Sequence, residues 1–279
     1  MVGSRRARRR VVAGLTQHAD PTRAAYAGAG NRWAEHAMLV YGPLAAHLVE
    51  RCPFPALGRD VIDAGAGTGA VGALLVAAGA NVISCDLEHD MLRADAGNNA
   101  VGLAAVADIT ALPFADGAFD IGVAAFVLNH LADPIAGLCE LERVTRSGGA
   151  VLASAFGDTR APAKDAIDDV LVSHGWRPPN WYQTMHLRAA ALATPAQMAL
   201  AARRAGLAEV TVSCTEIDVG LDDASMVVRY RLGMAQISGF FDGLAATAQA
   251  ALLREAITAV EQTGQPFRPA VVELVARVS

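Results

Sequence analysis

Paired cysteines are missing from this sequence. The four that occur, Cys52, Cys85, Cys139 and Cys214, stand far apart with no C-x-x-C pair. That disfavours a zinc cluster or a disulfide framework, leaves no metal to expect, and fits a reducing cytoplasm. Lysine is nearly absent: Lys164 is the only one among 23 basic residues, a coding bias and not a mechanism. There is no run of eighteen uncharged apolar residues, so no membrane span is expected. A basic balance is lacking too. The formal net charge is −5 and the pI about 5.8, which argues against a nucleic-acid partner.

What is there is a chain of 279 residues, 53% apolar and 18% charged, a composition that folds. Its one dense charge cluster is Arg5, Arg6, Arg8, Arg9 and Arg10. The apolar stretch Val11 to Leu15 is too short for a signal peptide, so residues 1–19 are expected to form a flexible basic tail. The rest, 20–279, reads as a single domain. It comprises an N-terminal helical cap over 20–58, a core over 59–156, and helical insertions at 157–207 and 220–268.

Periodicity places the elements. Asp20 to Arg51 reads as helical, with Gly42-Pro43 predicting a boundary between two helices. Short apolar runs at Val61-Ile62, Asn81–Asp86, Ala104–Ile109, Asp120–Leu128 and Ala150–Phe156 alternate with helical stretches. The helix before the fifth run starts at Asp133-Pro134 and is expected to stop near Gly148-Gly149. Such alternation predicts a parallel sheet with helices on both faces. Strands are also expected near 209–215 and 271–278. Between them Met226, Tyr230, Met234, Ile237, Phe241 and Leu244 recur at helical steps, a stripe that is either core or the contact of a homodimer.

The segment Asp63-Ala64-Gly65-Ala66-Gly67-Thr68-Gly69 falls between the first strand and its helix. Glycines at alternate positions let the backbone turn sharply and approach a ligand closely, and the helix behind aims its amide donors at that ligand. The G-x-G-x-x-G at Gly67 to Gly72 also suits a nicotinamide dinucleotide. Asp63 counts against it, because a carboxylate there would repel a pyrophosphate and suit an amine-bearing ligand. Asp86 closes the second strand and Asp108 the third, where two acids can bind the ribose and the exocyclic amine of an adenine.

With Leu112-Pro113-Phe114 and Phe119-Asp120 added, this pattern resembles the class I S-adenosylmethionine-dependent methyltransferases, in particular the small-molecule branch that includes the ubiquinone and menaquinone C-methyltransferases. The likeness runs from about Asp60 to Phe156. It implies a Rossmann-like α/β fold: a seven-stranded, mostly parallel sheet whose last strand is antiparallel, with helical lid insertions. The implied cofactor is S-adenosylmethionine, released as S-adenosylhomocysteine. Gly65, Ala66, Gly67, Thr68 and Gly69 would then line its methionyl end, with Asp63 near the amino group. Asp86 would accept from both ribose hydroxyls, Leu87 would flank the adenine, Asp108 would take its amine and Ile109 would add backbone contacts. Phe126 would lie beside the sulfonium, and Tyr26 and Trp33 would cap the site.

Methyl transfer from a sulfonium needs alignment and exclusion of water more than it needs catalytic groups. A base is required only if the nucleophile must lose a proton. His130, just past the fourth strand, is the candidate for that base or for substrate positioning; its other reading is a structural histidine near the Asp133 cap. His174, Trp176, Trp181, Tyr182 and His186 form a predicted aromatic and imidazole group where a substrate lid belongs. The Asn/Asp-Pro-Pro-Tyr/Phe motif of amide and nucleobase methylation is absent; the corresponding place reads Asn129-His130-Leu131-Ala132. The expected acceptor is a small, largely apolar metabolite methylated at oxygen, carbon or nitrogen. Two alternatives are a non-methylating reaction such as a cyclisation on the same fold, and a nicotinamide-dependent oxidoreductase.

Overall fold

A computed structural model describes residue 26 and residues 30–96 and 102–279. The expected basic tail and the ends of two expected helices, before Gly30 and after Ala96, lie outside the described residues. Seven strands form one sheet: β1 (Asp60–Ala64), β2 (Asn81–Asp86), β3 (Leu103–Val106), β4 (Phe119–Ala125), β5 (Thr145–Phe156), β6 (Ala208–Glu216) and β7 (Ala270–Arg277). Their spatial order is β3-β2-β1-β4-β5-β7-β6. The strands β1 to β5 pair in parallel, and β7 runs antiparallel between β5 and β6. The described helices are α1 (Gly30–His36), α2 (Met38–Glu50), α3 (Ala70–Ala77), α4 (His89–Ala96), α5 (Pro134–Val144), α6 (Pro162–Ser173), α7 (Asn180–Ala189), α8 (Pro195–Arg204), α9 (Ala224–Leu232), α10 (Ala235–Asp242) and α11 (Ala246–Thr263).

The central strands are apolar along their length because helices cover both faces. On one face Leu138, Leu141 and Val144 of α5, with Met198 and Ala202 of α8, pack on Val151, Ala153, Val272 and Leu274. On the other, Leu48 of α2 and Val71 and Leu75 of α3 meet Val61, Val82, Ile121 and Leu152. A third cluster joins the later helices to one another: Ile167 and Leu171 of α6, Val228 of α9, Ile237 of α10, and Leu252 and Ala256 of α11. The stripe from Met226 to Leu244 is divided between α9 and α10, and its Tyr230, Met234 and Ile237 are buried in this third cluster. No helix among the described residues is long and apolar enough to cross a membrane.

Three expected boundaries are corrected. The helix break falls at Ala37, and Pro43 lies inside α2. Proline there removes one amide donor, a loss offset by burial of Val40, Leu44, Ala45 and Leu48 along the same helix. The strand β3 stops at Val106, so Asp108 lies two residues past it in a turn. Helix α5 ends at Val144, not at Gly148-Gly149, and those glycines lie inside β5. Pairing shifts there from Phe119↔Thr145 to Ile121↔Ala150. Gly148 has φ +71°, so the pair serves a bulge in the strand and not a helix stop.

Candidate functional site

The strand order reverses between β1 and β4, and a crevice opens at such a switch beyond the carboxyl ends of the strands. Here it is a solvent-open cleft of about 200 Å3. The glycine loop forms one wall. Gly65 has φ +75°, and a Cβ on it would stand 2.3 Å from Cγ2 of Val127, so the loop after β1 is pressed against the loop after β4. The amides of Gly65 and Ala66 both donate to the Cys85 carbonyl, at 2.7 and 2.9 Å, which ties the loop to β2. Gly69 stands at the N-cap of α3 in the left-handed region. Thr68 faces the cleft, and its Oγ1 is buried with no hydrogen-bond partner among the described residues.

Three acids organise this half. Asp63 is 1% exposed, and its Oδ2 accepts from the Gly72 amide in α3 at 3.0 Å. The carboxylate thus fixes the helix against the loop while also lining the cleft. Asp86 accepts from the Gly67 amide at 2.9 Å with Oδ2 and from the Glu88 amide at 2.8 Å with Oδ1. Burial pushes its pKa above the ordinary carboxylate range, and hydrogen bonds from the amides of Glu88, Gly67 and Leu87 oppose that rise. With three amides on it, the carboxylate still keeps acceptor capacity for a further donor. Asp108 closes an Asx turn by accepting from the amide and hydroxyl of Thr110 at 2.8 and 2.7 Å. Leu87 and Ile109 flank these acids in the same wall.

The turn that carries Asp108 is held from α5 by a pair the sequence reading missed. Arg143 donates to the carbonyls of Phe114 and Leu112 at 2.8 and 2.9 Å and to Asp116 at 2.7 Å. Glu140 accepts from Arg143 at 2.8 Å and from the Leu112 amide at 2.7 Å. The Arg143 hydrogen bond holds the Glu140 carboxyl below its ordinary range. Phe114 and Phe119 stack edge to face at 5.1 Å, so the Leu-Pro-Phe and Phe-Asp motifs are one packed unit. Asp120 lies elsewhere. It accepts from the Asp60 amide and from Arg59 and Arg146, clamping the amino ends of β1 and β4.

The opposite half of the cleft is aromatic. Tyr26, Trp33, Tyr41, Phe126 and His130 line it together with Met38, Val127 and Leu131. Phe126 has φ +56°, its amide donates to the Ser154 carbonyl at 3.0 Å, and its ring meets Phe156 at 4.7 Å and Tyr41 at 5.2 Å. A non-glycine residue in that conformation needs surroundings that enforce it. Tyr26 is central: its ring lies 5.4 Å from Trp33, 5.7 Å from His130 and 6.2 Å from Trp181. His130 sits on a short 3-10 turn, Leu128–His130, whose last carbonyl accepts from Arg188 of α7 at 3.3 Å. Asp133 caps α5 through the Ile135 amide at 2.9 Å.

The residues expected at a cofactor therefore share one cleft, Gly69 standing just behind it, and His130 joins them. The five expected at a substrate are separated, and none lines the cleft. His174 ends α6 and pairs with Glu255 at 2.9 Å. Trp176 is buried, its Nε1 donating to the Gln236 carbonyl at 3.0 Å. Both pack the inserted helices onto each other. Trp181, Tyr182 and His186 follow one another along α7, a helix with no buried residue; Trp181 reaches Tyr26, Tyr182 reaches Arg231, and His186 is exposed. Tyr41 and Met38, on α2 one turn apart, are cleft residues that the sequence reading missed.

Residues 62–153 match the methyltransferase domain family. The resemblance to class I S-adenosylmethionine-dependent methyltransferases, quinone C-methyltransferases among them, thus rests on the family match as well as on the motifs. Demethylmenaquinone methyltransferase of Beutenbergia cavernae is 43% identical over 100 residues, 36% of this chain and 41% of that protein. The enzyme of the same name from Clavibacter sepedonicus is 37% identical over 116 residues, 40% and 47% of the two chains. This chain spans less than half the length of these curated relatives. Among solved structures, phosphoethanolamine N-methyltransferase 2 of Haemonchus contortus, bound to phosphomonomethylethanolamine and S-adenosylhomocysteine, superposes with TM-score 0.55 at 17% identity. It covers 94% of this chain and 58% of its own. The [4+2]-cyclase SpnF superposes with TM-score 0.53 at 18% identity, over 85% and 80% of the two chains. These two likenesses establish the fold.

Proposed function

We propose that this protein transfers a methyl group from S-adenosylmethionine to a small, largely apolar acceptor. The observation that carries the proposal is Asp86: a half-buried carboxylate at the end of β2, bonded to the amide of the glycine loop, with the Asp108 turn beside it. A half-buried carboxylate that keeps acceptor capacity calls for a further donor, and a ribose hydroxyl supplies one. The other residues fit the same group. Thr68 has an orphaned buried hydroxyl on the cleft wall, and the loop at Gly65 has no space for a side chain.

Bound there, the sulfonium supplies an already activated methyl group. The chain's task is then to hold the two reactants in line and keep water away. Asp63 and the glycine loop would hold the amino-acid end, Asp86 the ribose, and Asp108 and Ile109 the adenine. The aromatic half, with Trp33, Tyr41 and Phe126, would receive the acceptor. The relatives' name denotes a quinone acceptor, and a planar apolar ring suits these walls. His130, on the same wall, would orient the acceptor or take a proton at its imidazole. Isothermal titration with S-adenosylhomocysteine tests the reading. Saturable binding is expected, together with a loss of about 1–3 kcal/mol in Asp86→Ala; no binding to the wild-type chain would refute it.

A further inference from the structure

The turn after β4, residues 126–131, is where the two halves of the cleft meet. Phe126, Val127, His130 and Leu131 all line the cleft, and they follow directly on the strand that pairs with β1 at the reversal. Two absent side chains make room for this turn. The three atoms nearest to a Cβ on Gly65 would all belong to Val127, at 2.3, 2.5 and 2.8 Å. The isopropyl group of Val127 thus occupies the space that Gly65 leaves open. Behind the turn, a Cβ on Gly137 of α5 would stand 2.7 Å from Leu131 and 3.1 Å from Leu128. The turn is therefore wedged between the glycine loop and α5.

Three contacts hold its strained part. The Phe126 amide donates to the Ser154 carbonyl at 3.0 Å, and the His130 amide donates to the Val127 carbonyl at 2.9 Å. The third is the packing of Val127 on Gly65, and of these three only it reaches the glycine loop. That loop is itself tied to β2, Gly65 and Ala66 to the Cys85 carbonyl and Gly67 to the Asp86 carboxylate. Phe126, at φ +56°, keeps its conformation only while its neighbours enforce it. Its ring meets Tyr41 at 5.2 Å and Phe156 at 4.7 Å. Val127 thus stands with the glycine loop against its side chain and Phe126 and His130 on its backbone.

We propose that Val127 is a positioning residue that couples the two halves of the cleft: a ligand that fixes the glycine loop also fixes, through the Val127 side chain, the Phe126 ring and His130 where an acceptor ring docks. The word acceptor rests on the methyl-transfer reading. Close-packed groups do not deform continuously, so stiffening one side of the contact lowers the cost of ordering the other. The coupling is positive and reciprocal, each ligand tightening the other by the same factor. It requires a branch at Cβ, because both methyls of Val127 bear on Gly65.

Isothermal titration of the full chain tests this, with S-adenosylhomocysteine as one ligand and 1-naphthol, a planar apolar ring, as the other. In the wild type, saturating 1-naphthol should tighten S-adenosylhomocysteine about tenfold, and the reverse titration should return the same factor. Val127→Ala should abolish that coupling, whatever it does to either affinity alone. Val127→Thr, which keeps the branch, should retain most of it. A merely destabilising change acts differently: Met198→Ala, at a fully buried position in α8, should leave the factor at its wild-type value. Equal coupling in wild type and Val127→Ala, absent coupling or competition in the wild type, or no binding of 1-naphthol beside S-adenosylhomocysteine would each overturn the proposal. Failure of S-adenosylhomocysteine to bind the wild type would instead strike the methyl-transfer reading.

Discussion

At the scale of single residues, the glycine loop and Asp86 make the sharpest demands. Gly65 combines φ +75° with a 2.3 Å approach to Val127, so Gly65→Ala meets both backbone strain and a clash. A cost of about 2–4 kcal/mol in stability is expected, read by urea unfolding, with S-adenosylhomocysteine binding lost in whatever fraction folds. Asp86 gives a pH signature. Its carboxyl titrates above the ordinary range because it is buried, so it opposes folding as pH climbs from the ordinary carboxylate pKa to the raised one. Ligand hydroxyls donate more strongly to the ionised form, so affinity should rise with pH across that raised titration and fall on acidification. Asp86→Asn should flatten the profile measured by calorimetry; a profile as steep as wild type's would remove Asp86 from the ribose. These acids and glycines were legible from the sequence because each follows a short apolar run that reads as a strand, and pairing of neighbouring strands brings those ends together.

The elements show where that legibility stops. Strands β1, β2 and β4 announce themselves as short apolar runs because both their faces are covered. At the sheet's edge β3 lacks that signal: Leu103 is 71% exposed, and its predicted extent ran past Val106 into the Asp108 turn. Pro43 and Gly148-Gly149 misled for a common reason, since local punctuation yielded to tertiary packing in α2 and to a bulge in β5. The Glu140–Arg143 clamp was out of reach, as its partners in the 112–117 loop lie up to 31 residues away. It nevertheless sets the Asp108 turn. Arg143→Ala should cost about 2–3 kcal/mol through lost charged hydrogen bonds and weaken S-adenosylhomocysteine binding, whereas a variant binding as tightly as wild type would detach the clamp from the site. The lowered pKa of Glu140 also has a sign: its contribution is present above the unfolded-state value and lost as pH falls through the folded one. Glu140→Gln should therefore reduce the acid sensitivity of unfolding.

On the scale of the whole molecule, the acidic and glycine-rich half of the cleft is built by β1 to β4, while the aromatic half, lined from residue 26, α1, α2 and the turn after β4, is backed by the later helices. The third core cluster serves those helices and stands apart from the glycine loop. Leu252→Ala, emptying a fully buried position in α11, should destabilise by about 2–4 kcal/mol with no change in S-adenosylhomocysteine affinity. Calorimetry beside urea unfolding separates the two quantities, and a parallel loss of both would show that the layers are energetically one. The five lid residues expected from sequence illustrate the same division: His174 and Trp176 hold helix to helix, and only Trp181 and Tyr182 reach the aromatic group around Tyr26.

The position of β7 has a consequence for how the molecule comes off the ribosome. It is made after β5 and β6 yet lies between them, and β6 pairs with no other strand. Until residues 270–277 emerge, the nascent chain must carry Ala150–Phe156 as an open parallel-sheet border, with Ala208–Glu216 waiting nearby and unzipped. Such a late, long-range insertion slows folding and leaves a sticky rim that invites aggregation. Chaperone demand during synthesis should thus track translation of that final stretch.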